Sequence, residues 1–591
     1  MTIEQWLVLS ILLLTLILFV SARLRYDIIA LLALLAVTLA GIIPVERAFL
    51  GFSNPAVITV AAVLILSRGL QNSGVVEWIG NKLTGLRGGL SLHLLVLTTL
   101  IAILSAFMNN VGALALLLPV TLTLARKKGF PASKLLMPLA FASLLGGMTT
   151  LIGTPPNLIA SAFRQQSSGL PFRMFDFLPV GGAVALSGVL FLSFVGWRFI
   201  PLRHSRSTEN TLEIEDYVTE VRLRPTSPLI GKALHQTQDF SNAEVIIIGL
   251  VRGQERRMEP SAQTVLQAGD ILILKADIDN IRRLTETLQL ELVGSQPIGK
   301  TNLQSEDVIL LQVVIMPNSV LQGNTARSLS LRSHYGINLL AISRQGQVQH
   351  SRLDRIRFRT GDVLLIQSHI ETASETLQNL GCLPLAGQNL KLRNGTPRRW
   401  PALALFCGAL LIAALGLLPS AVSFTAAAVL MVLLKVITLN EAYQSIDWPI
   451  VILLGAMIPV GEALEISGTA GQIANLLLQI APHLSAGGLV AILLVVTMFL
   501  SDVINNAAAL VLMAPIGISV AQGLGVSVDP FLMAITIGAS CAFLTPIGHQ
   551  SNTLVMGPGG YAFSDYWRAG LLLEVIVALV SIPLLLLFWP L

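Results

Sequence analysis

The sequence predicts a polytopic α-helical membrane protein of two halves, with an α/β domain inserted between them. Of its 591 residues, 53% are hydrophobic and only 12% are charged, a composition too apolar for a soluble protein of this length. Residues 203–399 hold most of the charged side chains, which indicates a soluble insertion. In addition, an asparagine pair inside apolar sequence occurs twice, as Asn109-Asn110 and Asn505-Asn506, at a spacing of 396 residues. Amides without partners are costly in hydrocarbon, so both pairs are expected to line a cavity.

Charge and cysteine content exclude several classes of protein. The net charge of +5 follows the loops and predicts no nucleic-acid partner. The three cysteines, at 382, 407 and 541, show no paired spacing, so neither a disulfide framework nor a zinc site is expected. Residues 1–20 lack a basic leading region and a cleavage site, and they are interpreted as a first span rather than a signal peptide.

The first half, residues 1–202, is predicted to contain five spans and one hairpin. Apolar runs long enough to cross lie near 4–21, 28–45, 54–71, 134–161 and 178–199. Basic residues, including Lys82 and Arg87 and the run at 126–128, are placed in the cytoplasm by the positive-inside rule.

The segment near 90–125 therefore carries cytoplasmic charge at both ends and must cross an even number of times. Two crossings need about 40 apolar residues, whereas only about 35 are present. This shortfall predicts a re-entrant hairpin from the cytoplasmic side, with Asn109-Asn110 at its tip. The next span is expected to break at residues 153–157, which is tolerated where the backbone is buried in protein or faces water.

The second half, residues 398–591, repeats this plan. Spans are predicted near 401–418, 420–438, 448–466, 529–556 and 568–590, and a hairpin near 486–524. Because five spans precede a cytoplasmic insertion, the second half runs in the opposite sense and its hairpin enters from outside. Inverted repeats with broken helices that meet near the midplane are typical of secondary transporters.

The insertion is itself predicted to be a tandem repeat of small α/β units, at 203–292 and 293–397. The turn Gly269-Asp270 recurs as Gly361-Asp362, 92 residues later, each before an alternating apolar run typical of a strand. No GxGxxG or GxxxxGK[ST] string occurs in the chain, so neither a Rossmann site nor a P-loop pump is favoured and no organic cofactor is expected.

Both membrane halves resemble the divalent anion:sodium symporters, the citrate-transporter-like group. The resemblance rests on the hairpin tips, on Gly153-Thr154-Pro155-Pro156-Asn157 and on Thr545-Pro546-Ile547-Gly548. The inserted units resemble the C-terminal domain of potassium-uptake regulators, which occurs in tandem in a branch that includes sulfate transporters. The resemblance implies a homodimer, an elevator-type motion of a transport domain, and sodium and anion sites at the two tips.

The tips depart from the family pattern, which usually reads Ser-Asn-Thr. Here the sequences are Asn109-Asn110-Val111 and Asn505-Asn506-Ala507, so the central asparagine is kept while two hydroxyls are lost at each tip. In the second break, residues 549–552 read His-Gln-Ser-Asn where the family has Thr-Pro-Pro-Asn. A more polar break favours a compact oxyanion such as sulfate over di- or tricarboxylates.

Sodium prefers oxygen ligands, which asparagine side chains and the freed carbonyls of broken helices supply. One sodium site is assigned to Asn109, Asn110 and Gly153, and the second to Asn506, Thr545 and Gly548. The anion is expected between the tips, at a set of residues drawn from both halves: Asn109, Asn110, Thr154, Pro155, Asn505, Asn506, Thr545, Pro546 and His549. The alternatives are that the asparagines only cap helices, that the threonines bond their own helices, and that His549 is structural. Asp502 has two candidate roles, a cap for the second hairpin or a group that tunes the cation site, and the cap is favoured.

Together these features predict a sodium-coupled symporter of a small divalent oxyanion, with sulfate ahead of di- or tricarboxylates. It is placed as a multi-pass protein in the plasma (inner) membrane, with the insertion in the cytoplasm. That insertion either binds a small-molecule regulator or reinforces the dimer. The alternative from another class is an ion channel or potassium-transport component gated by the inserted units, although no TVGYG-like filter string is present. No nucleophile–base pattern favours an enzyme.

Overall fold

The computed structural model describes the whole chain except for residue 1, eight longer stretches, and further short gaps between residues 254 and 378. The stretches are 22–23, 74–87, 204–217, 238–245, 276–287, 293–307, 386–398 and 481–483. Lys82, Arg87 and the predicted domain boundaries at 293 and 397 lie outside the described residues.

Eight helices are described before the insertion. They are α1 (Ile3–Ser21), α2 (Tyr26–Leu39), α3 (Pro55–Asn72), α4 (Leu90–Ser105), α5 (Asn110–Lys128), α6 (Ala132–Gly147), α7 (Pro155–Ser168) and α8 (Leu178–Phe194). Their starts follow local chemistry: α3, for example, begins at a proline, and the side chain of Asn54 accepts the free N–H of Ala56.

The strands between 218 and 384 form two antiparallel sheets. The first sheet contains β1 (Val218–Leu223), β2 (Ile246–Arg252), β3 (Glu255–Met258), β4 (Ile271–Lys275) and β5 (Leu290–Leu292). The second contains β6 (Val308–Ile315), β7 (Asn338–Arg344), β8 (Gln347–Val348), β9 (Val363–His369) and β10 (Cys382–Pro384), and the short helix α9 (Leu331–Tyr335) precedes β7. We call these the first and second sheet units.

The two sheet units have the same strand order, β3-β2-β4-β1-β5 and β8-β7-β9-β6-β10. Each places an arginine on the aspartate of its glycine–aspartate turn: Arg252 Nε lies 2.8 Å from Asp270, and Arg344 Nε lies 2.8 Å from Asp362. These pairs lie 92 residues apart, at the spacing of the sequence repeat.

Ten helices are described after the insertion. They are α10 (Arg399–Ala414), α11 (Ser420–Leu433), α12 (Leu439–Ser445), α13 (Trp448–Ile466), α14 (Thr469–Ile480), α15 (Ala486–Val503), α16 (Asn506–Leu524), α17 (Asp529–Ala539), α18 (Gln550–Gly559) and α19 (Tyr566–Phe588). Among the described residues, six helices are long and apolar enough to cross a membrane. The prediction of a polytopic helical membrane protein is confirmed.

Both long spans predicted to be broken consist of two helices. In the first half α6 and α7 are separated by residues 148–154, and in the second α17 and α18 are separated by residues 540–549. Pro155 and Pro156 open α7, because a helix can begin but not continue easily at proline. Helix α14 does not appear among the predicted spans, since its 12 residues mix polar with apolar side chains.

The broken helices of the two halves lie side by side in opposite directions. Near the start of α6, the carbonyl of Ser133 accepts the hydroxyl proton of Tyr561, which lies two residues after the end of α18. At the other end, Arg164 of α7 makes a two-pronged ion pair with Asp529, the first residue of α17, with both N···O distances at 2.7 Å. Helix α6 thus begins where α18 ends, and α7 ends where α17 begins.

Candidate functional site

The first hairpin tip contacts the break between α6 and α7. Asn109 precedes α5 and caps it, since its Oδ1 accepts the N–H of Val111 at 3.0 Å. Asn110 is buried, and its Oδ1 accepts the hydroxyl of Ser105 at 2.7 Å. Its amide lies against Gly147, where a Cβ would be 2.6 Å from Asn110 Oδ1. Glycine at 147 is therefore required for this contact.

Two side chains fasten the first break. The hydroxyl of Thr150 donates to the carbonyl of Ala106, which lies between α4 and α5. Asn157 Nδ2 donates to the carbonyls of Gly147 and Thr150, at 3.1 and 2.6 Å. Because both amide protons are used in this way, Oδ1 of Asn157 is fixed as the free atom, and it is buried without a donor among the described residues.

The second tip and break repeat this arrangement. Asn505 caps α16 by accepting from Ala507 N at 3.0 Å. The hydroxyl of Ser501 has two acceptors within reach, Asn506 Oδ1 at 3.0 Å and the carbonyl oxygen of Ala539 at 2.6 Å. The hydroxyl of Thr545 donates to the carbonyl of Asp502 at 2.6 Å. The tip is again tied to the break by a threonine hydroxyl.

Asn552 closes the second break as Asn157 closes the first. Its Nδ2 donates to the carbonyls of Ala542 and Thr545, at 2.7 and 3.1 Å, and its Oδ1 is buried without a donor in the described part of the chain. Each of these contacts lies 395 or 396 residues after its counterpart. Thr545 therefore corresponds to Thr150, a residue that the sequence interpretation did not single out.

Thr154 corresponds instead to His549, and both precede a half-helix in extended backbone. His549 Nδ1 accepts the N–H of Ser551 at 3.0 Å, so the ring caps α18 and carries its proton on Nε2. Pro546 contributes its carbonyl, which accepts the hydroxyl of Thr553 at 2.6 Å. Gly548 donates its N–H to Thr545 Oγ1 at 3.1 Å.

The capping interpretation is right for the outer asparagine of each pair and does not describe the inner one. Asn109 and Asn505 cap their helices, whereas Asn110 and Asn506 turn their amides to a serine hydroxyl. Asn109 also lines a small cavity together with Gly153 and Pro155. These three predicted residues of the first half are thus brought together.

In the described part of the chain, the hydrogen bonds of each tip stay within its own half. Among the described residues, no hydrogen bond joins Asn110 to Asn506. The halves meet at the broken helices, where the hydroxyl oxygens of Ser143 in α6 and Ser551 in α18 lie 3.5 Å apart. The opposition of the tips across one site remains a prediction.

The favoured prediction that Asp502 caps the second hairpin helix is wrong. Asn505 caps the second hairpin helix, and Oδ1 of Asp502 instead accepts the N–H of Leu544 in the break, at 2.9 Å. The side chain sits at the end of α15, where it faces the break rather than the following helix.

The donor set at each break fits a hard cation. Asn157 and Asn552 each present a buried amide oxygen with no donor among the described residues, next to carbonyls exposed by the interrupted helix. Oxygen ligands of this kind suit an alkali or alkaline-earth cation better than a transition metal. Residues Asn110 and Asn506 would supply further amide oxygens, since each oxygen keeps a second lone pair.

The second sheet unit packs directly on α18, the helix that follows the second break. A Cβ on Gly557 of α18 would overlap the carbonyl oxygen of Gly361, and a Cβ on Gly361 would lie 2.5 Å from the carbonyl oxygen of Thr553. Val363 of β9 belongs to the same buried apolar cluster as Val555. In the first sheet unit, by contrast, the corresponding Gly269 has open space around it.

Comparison with known proteins identifies the family to which the chain belongs. A family model described as "Citrate transporter" (CitMHS) matches residues 16–538 and 483–591. An uncharacterized transporter of Synechocystis is 33% identical over 98% of this chain and 96% of its own length. The uncharacterized transporter YfbS of Escherichia coli is 31% identical over 99% of both chains, and sodium/sulfate cotransporter 2 of Chlamydomonas reinhardtii is 27% identical over 55% of this chain and 39% of its own. The chain therefore belongs to the citrate transporter family, which confirms the predicted resemblance to divalent anion:sodium symporters and makes the protein a membrane transporter rather than an enzyme.

Proposed function

We propose that the protein is a sodium-coupled symporter of a small divalent oxyanion, and that sulfate is its preferred substrate. The observation that carries the proposal is that the same hydrogen bonds fasten a hairpin tip to a broken helix in both halves. Serine binds the inner asparagine, threonine bonds the hairpin carbonyl, and a second asparagine spans the break. The relative from Chlamydomonas is named a sodium/sulfate cotransporter, which supports this choice of ion and substrate.

Sodium is assigned to the oxygens of the two breaks. The first site uses Asn110 and the backbone near Gly153, and the second uses Asn506, Thr545 and the backbone near Gly548. Sodium supplies positive charge close to the anion when it binds there. The residues of the chain position the oxygens. The first break is buried throughout, whereas in the second Thr545 is partly exposed and Ile547 is exposed.

The anion is assigned to the space that the helix starts define. Four helices begin at a tip or a break: α5 at Asn110, α7 at Pro155, α16 at Asn506 and α18 at Gln550. The N-terminus of a helix carries free N–H groups and a partial positive charge, and both favour an anion. An oxyanion that accepts hydrogen bonds equally from all sides suits such a site.

An elevator-type mechanism in a homodimer is proposed for the transport cycle. The ion pair of Arg164 with Asp529 is assigned to the outer side, and that of Arg203 with Asp565, at 2.8 and 2.9 Å, to the cytoplasmic side of the inner membrane. The first pair joins α7 to α17. In the second, Arg203 follows α8 and Asp565 precedes α19, and the N–H of Arg203 also donates to Ser133 Oγ near the start of α6. They support a transport domain that moves as one body, with the hairpins on its flanks.

The sheet units are proposed to lie in the cytoplasm and to regulate transport by binding a small molecule. The contact of Gly361 with Gly557 supports this role, because it packs the second unit on α18, the helix that follows the second break. A ligand that binds the unit more tightly in one transport state would shift the cycle.

Di- or tricarboxylates are the second candidate substrates. The family description, "Citrate transporter", favours them. The two classes are distinguished by uptake of labelled sulfate and succinate into proteoliposomes, each with and without an inward sodium gradient. Sulfate uptake that rises with the gradient supports the proposal, whereas faster succinate uptake reverses the order of substrates. Equal uptake of sulfate with and without sodium refutes symport.

The site assignment is tested by Asn110→Ala and Asn506→Ala, which we expect to abolish coupled uptake while the protein still elutes as a folded species. Asn324→Ala is the matched control, since this asparagine is exposed on the second sheet unit. Wild-type uptake in both site variants would refute the assignment.

A further inference from the structure

Asp502 joins the second hairpin to the second break through both its side chain and its backbone. Its Oδ1 accepts the N–H of Leu544 at 2.9 Å, and its carbonyl accepts the hydroxyl of Thr545 at 2.6 Å. Close packing adds to these bonds, because a Cβ on Gly548 would lie 3.1 Å from the Cα of Asp502. One residue thus holds both the start and the end of the segment 544–548.

Glu574 of α19 orients this aspartate from the far side. The two side chains interact with each other, and both residues are almost fully buried, at 3% and 4% exposure. Asp502 Oδ2 and Glu574 Oε1 receive no N–H or O–H donor from any described residue. The carboxyl group of Asp502 is therefore enclosed between the second break on one side and Glu574 on the other.

The corresponding positions of the first half carry no such pair. Position 106 is alanine, and it keeps only the backbone bond, which Thr150 donates to its carbonyl. Gly181 abuts the carbonyl of Met148 as Gly570 abuts that of Phe543, so position 185 corresponds to Glu574, and it is also alanine. The acidic pair is therefore an addition to the second half, not part of the shared plan.

We propose that Asp502 is a positioning residue for the coupling cation at the second break and that Glu574 holds Asp502 in place. The inference rests on the proposed function and refines its second cation site. The bond to Leu544 fixes the backbone on one side of Thr545, and the bond from Thr545 fixes its hydroxyl. Loss of the carboxyl group frees this segment, so the cation meets oxygens that are no longer preset, while the anion keeps its helix starts.

The test measures sodium half-saturation and the KM for sulfate separately, in proteoliposomes. Asp502→Ala is expected to raise the sodium half-saturation about tenfold, the effect of losing one hydrogen bond to a charged group. The KM for sulfate at saturating sodium stays within about twofold of the wild type. Asp502→Asn restores sodium half-saturation toward the wild type, because asparagine keeps an acceptor for Leu544. The control is Glu46→Ala, an exposed carboxylate of the first half.

Glu574→Ala decides the matter if Asp502→Ala does not fold. It leaves both bonds of Asp502 to the break and removes only the group that holds the side chain, so a threefold to tenfold rise in sodium half-saturation is expected. Wild-type sodium half-saturation in Glu574→Ala and in any folded Asp502→Ala overturns the inference, as does an equal change in sodium half-saturation and sulfate KM. A wild type without sodium-driven uptake instead refutes the proposed function.

Discussion

A methyl group at Gly557 is expected to loosen the second sheet unit from α18. Gly557 lies in the last turn of this helix and faces the turn that precedes β9. Gly361 in that turn has φ of +82°, which favours glycine, so the turn cannot easily reshape to make room. The variant Gly557→Ala therefore perturbs the contact from the membrane side without altering the sheet.

The size of the effect follows from the packing. The new Cβ would overlap the carbonyl oxygen of Gly361 and lie 3.0 Å from its carbonyl carbon, whereas carbon atoms in ordinary contact are about 3.5–4.0 Å apart. The turn must therefore retreat by about 1 Å. Overpacking of this kind costs about 1–3 kcal/mol, which raises the population of the undocked unit about 5- to 150-fold.

The assay is hydrogen exchange of the full-length protein, read by mass spectrometry. Backbone amides in the turn 359–366 and in α18 are expected to exchange faster in Gly557→Ala, while the first sheet unit is unchanged. Gly408→Ala is the matched control, because Gly408 lies within α10 and has open space at its Cβ. Alanine gains about 1 kcal/mol of helix propensity at both sites, so the difference between the variants isolates the overlap.

Unchanged exchange at 359–366 in Gly557→Ala would refute the reasoning, since it would mean that the turn does not rest on the helix. Uptake supplies the second readout. If the unit acts on the second break through this contact, the variant changes the rate of sulfate uptake, and Gly408→Ala does not. Faster exchange together with wild-type uptake would confirm that the turn rests on the helix and would show that this contact does not regulate transport.

Three further predictions concern single contacts. Ser105→Ala removes the hydroxyl bound to Asn110, and it is expected to raise the sodium half-saturation of uptake several-fold; an unchanged value would show that this bond does not position the amide. Asp529→Ala leaves Arg164 without its partly buried partner and should lower the thermal unfolding midpoint in detergent, by an amount corresponding to about 1–3 kcal/mol, whereas an unaltered midpoint would deny the clamp any weight. Burial raises the pKa of Cys382 to about 12, so the native thiol should resist alkylation at pH 8 and react on unfolding; fast native labelling would contradict the burial.

The spans and their breaks could be predicted because their causes are local. Apolar runs of sufficient length mark the spans, and the proline pair at 155–156 marks the start of a half-helix whatever surrounds it. Helix α14 could not be identified in this way, since its polar face looks like a loop until the partner helix is known. Helix ends likewise moved by several residues, as for α2, which ends at Leu39 although the apolar run continues.

The asparagine pairs could be identified from the sequence, whereas the residues that hold the breaks to the tips could not, because only the pairs stand out from their sequence context. An amide inside apolar sequence is conspicuous, whereas Thr150 and Asn552 look like ordinary polar residues near a turn. Their role depends on which carbonyls the fold brings within reach. The spacing of 395 residues between Thr150 and Thr545 could have identified Thr150 from the sequence. Glu574 also carried a signal, since a carboxylate within an apolar span is costly and tends to be functional.

Contacts between distant segments lie beyond sequence reasoning of this kind. The meeting of Gly361 with Gly557 joins a strand turn of the insertion to a helix almost 200 residues later. Nothing in either segment specifies the other, because a glycine that permits close approach looks the same as a glycine that permits a turn. Only the structure separates Gly361, which does both, from Gly269, which only turns.

Two additions to the repeated plan fall on the second break. Both halves fasten their tip with the same serine, threonine and asparagine contacts, so this shared set alone would give two equivalent cation sites. The acidic pair acts on segment 544–548 from one side, and the second sheet unit packs on α18 directly after it. A unit that shifts α18 therefore moves the residues that Asp502 positions. Regulation through the sheet units should accordingly appear as a change in sodium dependence before any change in the KM for the anion, and a regulator that altered only the KM would have to act through the first half.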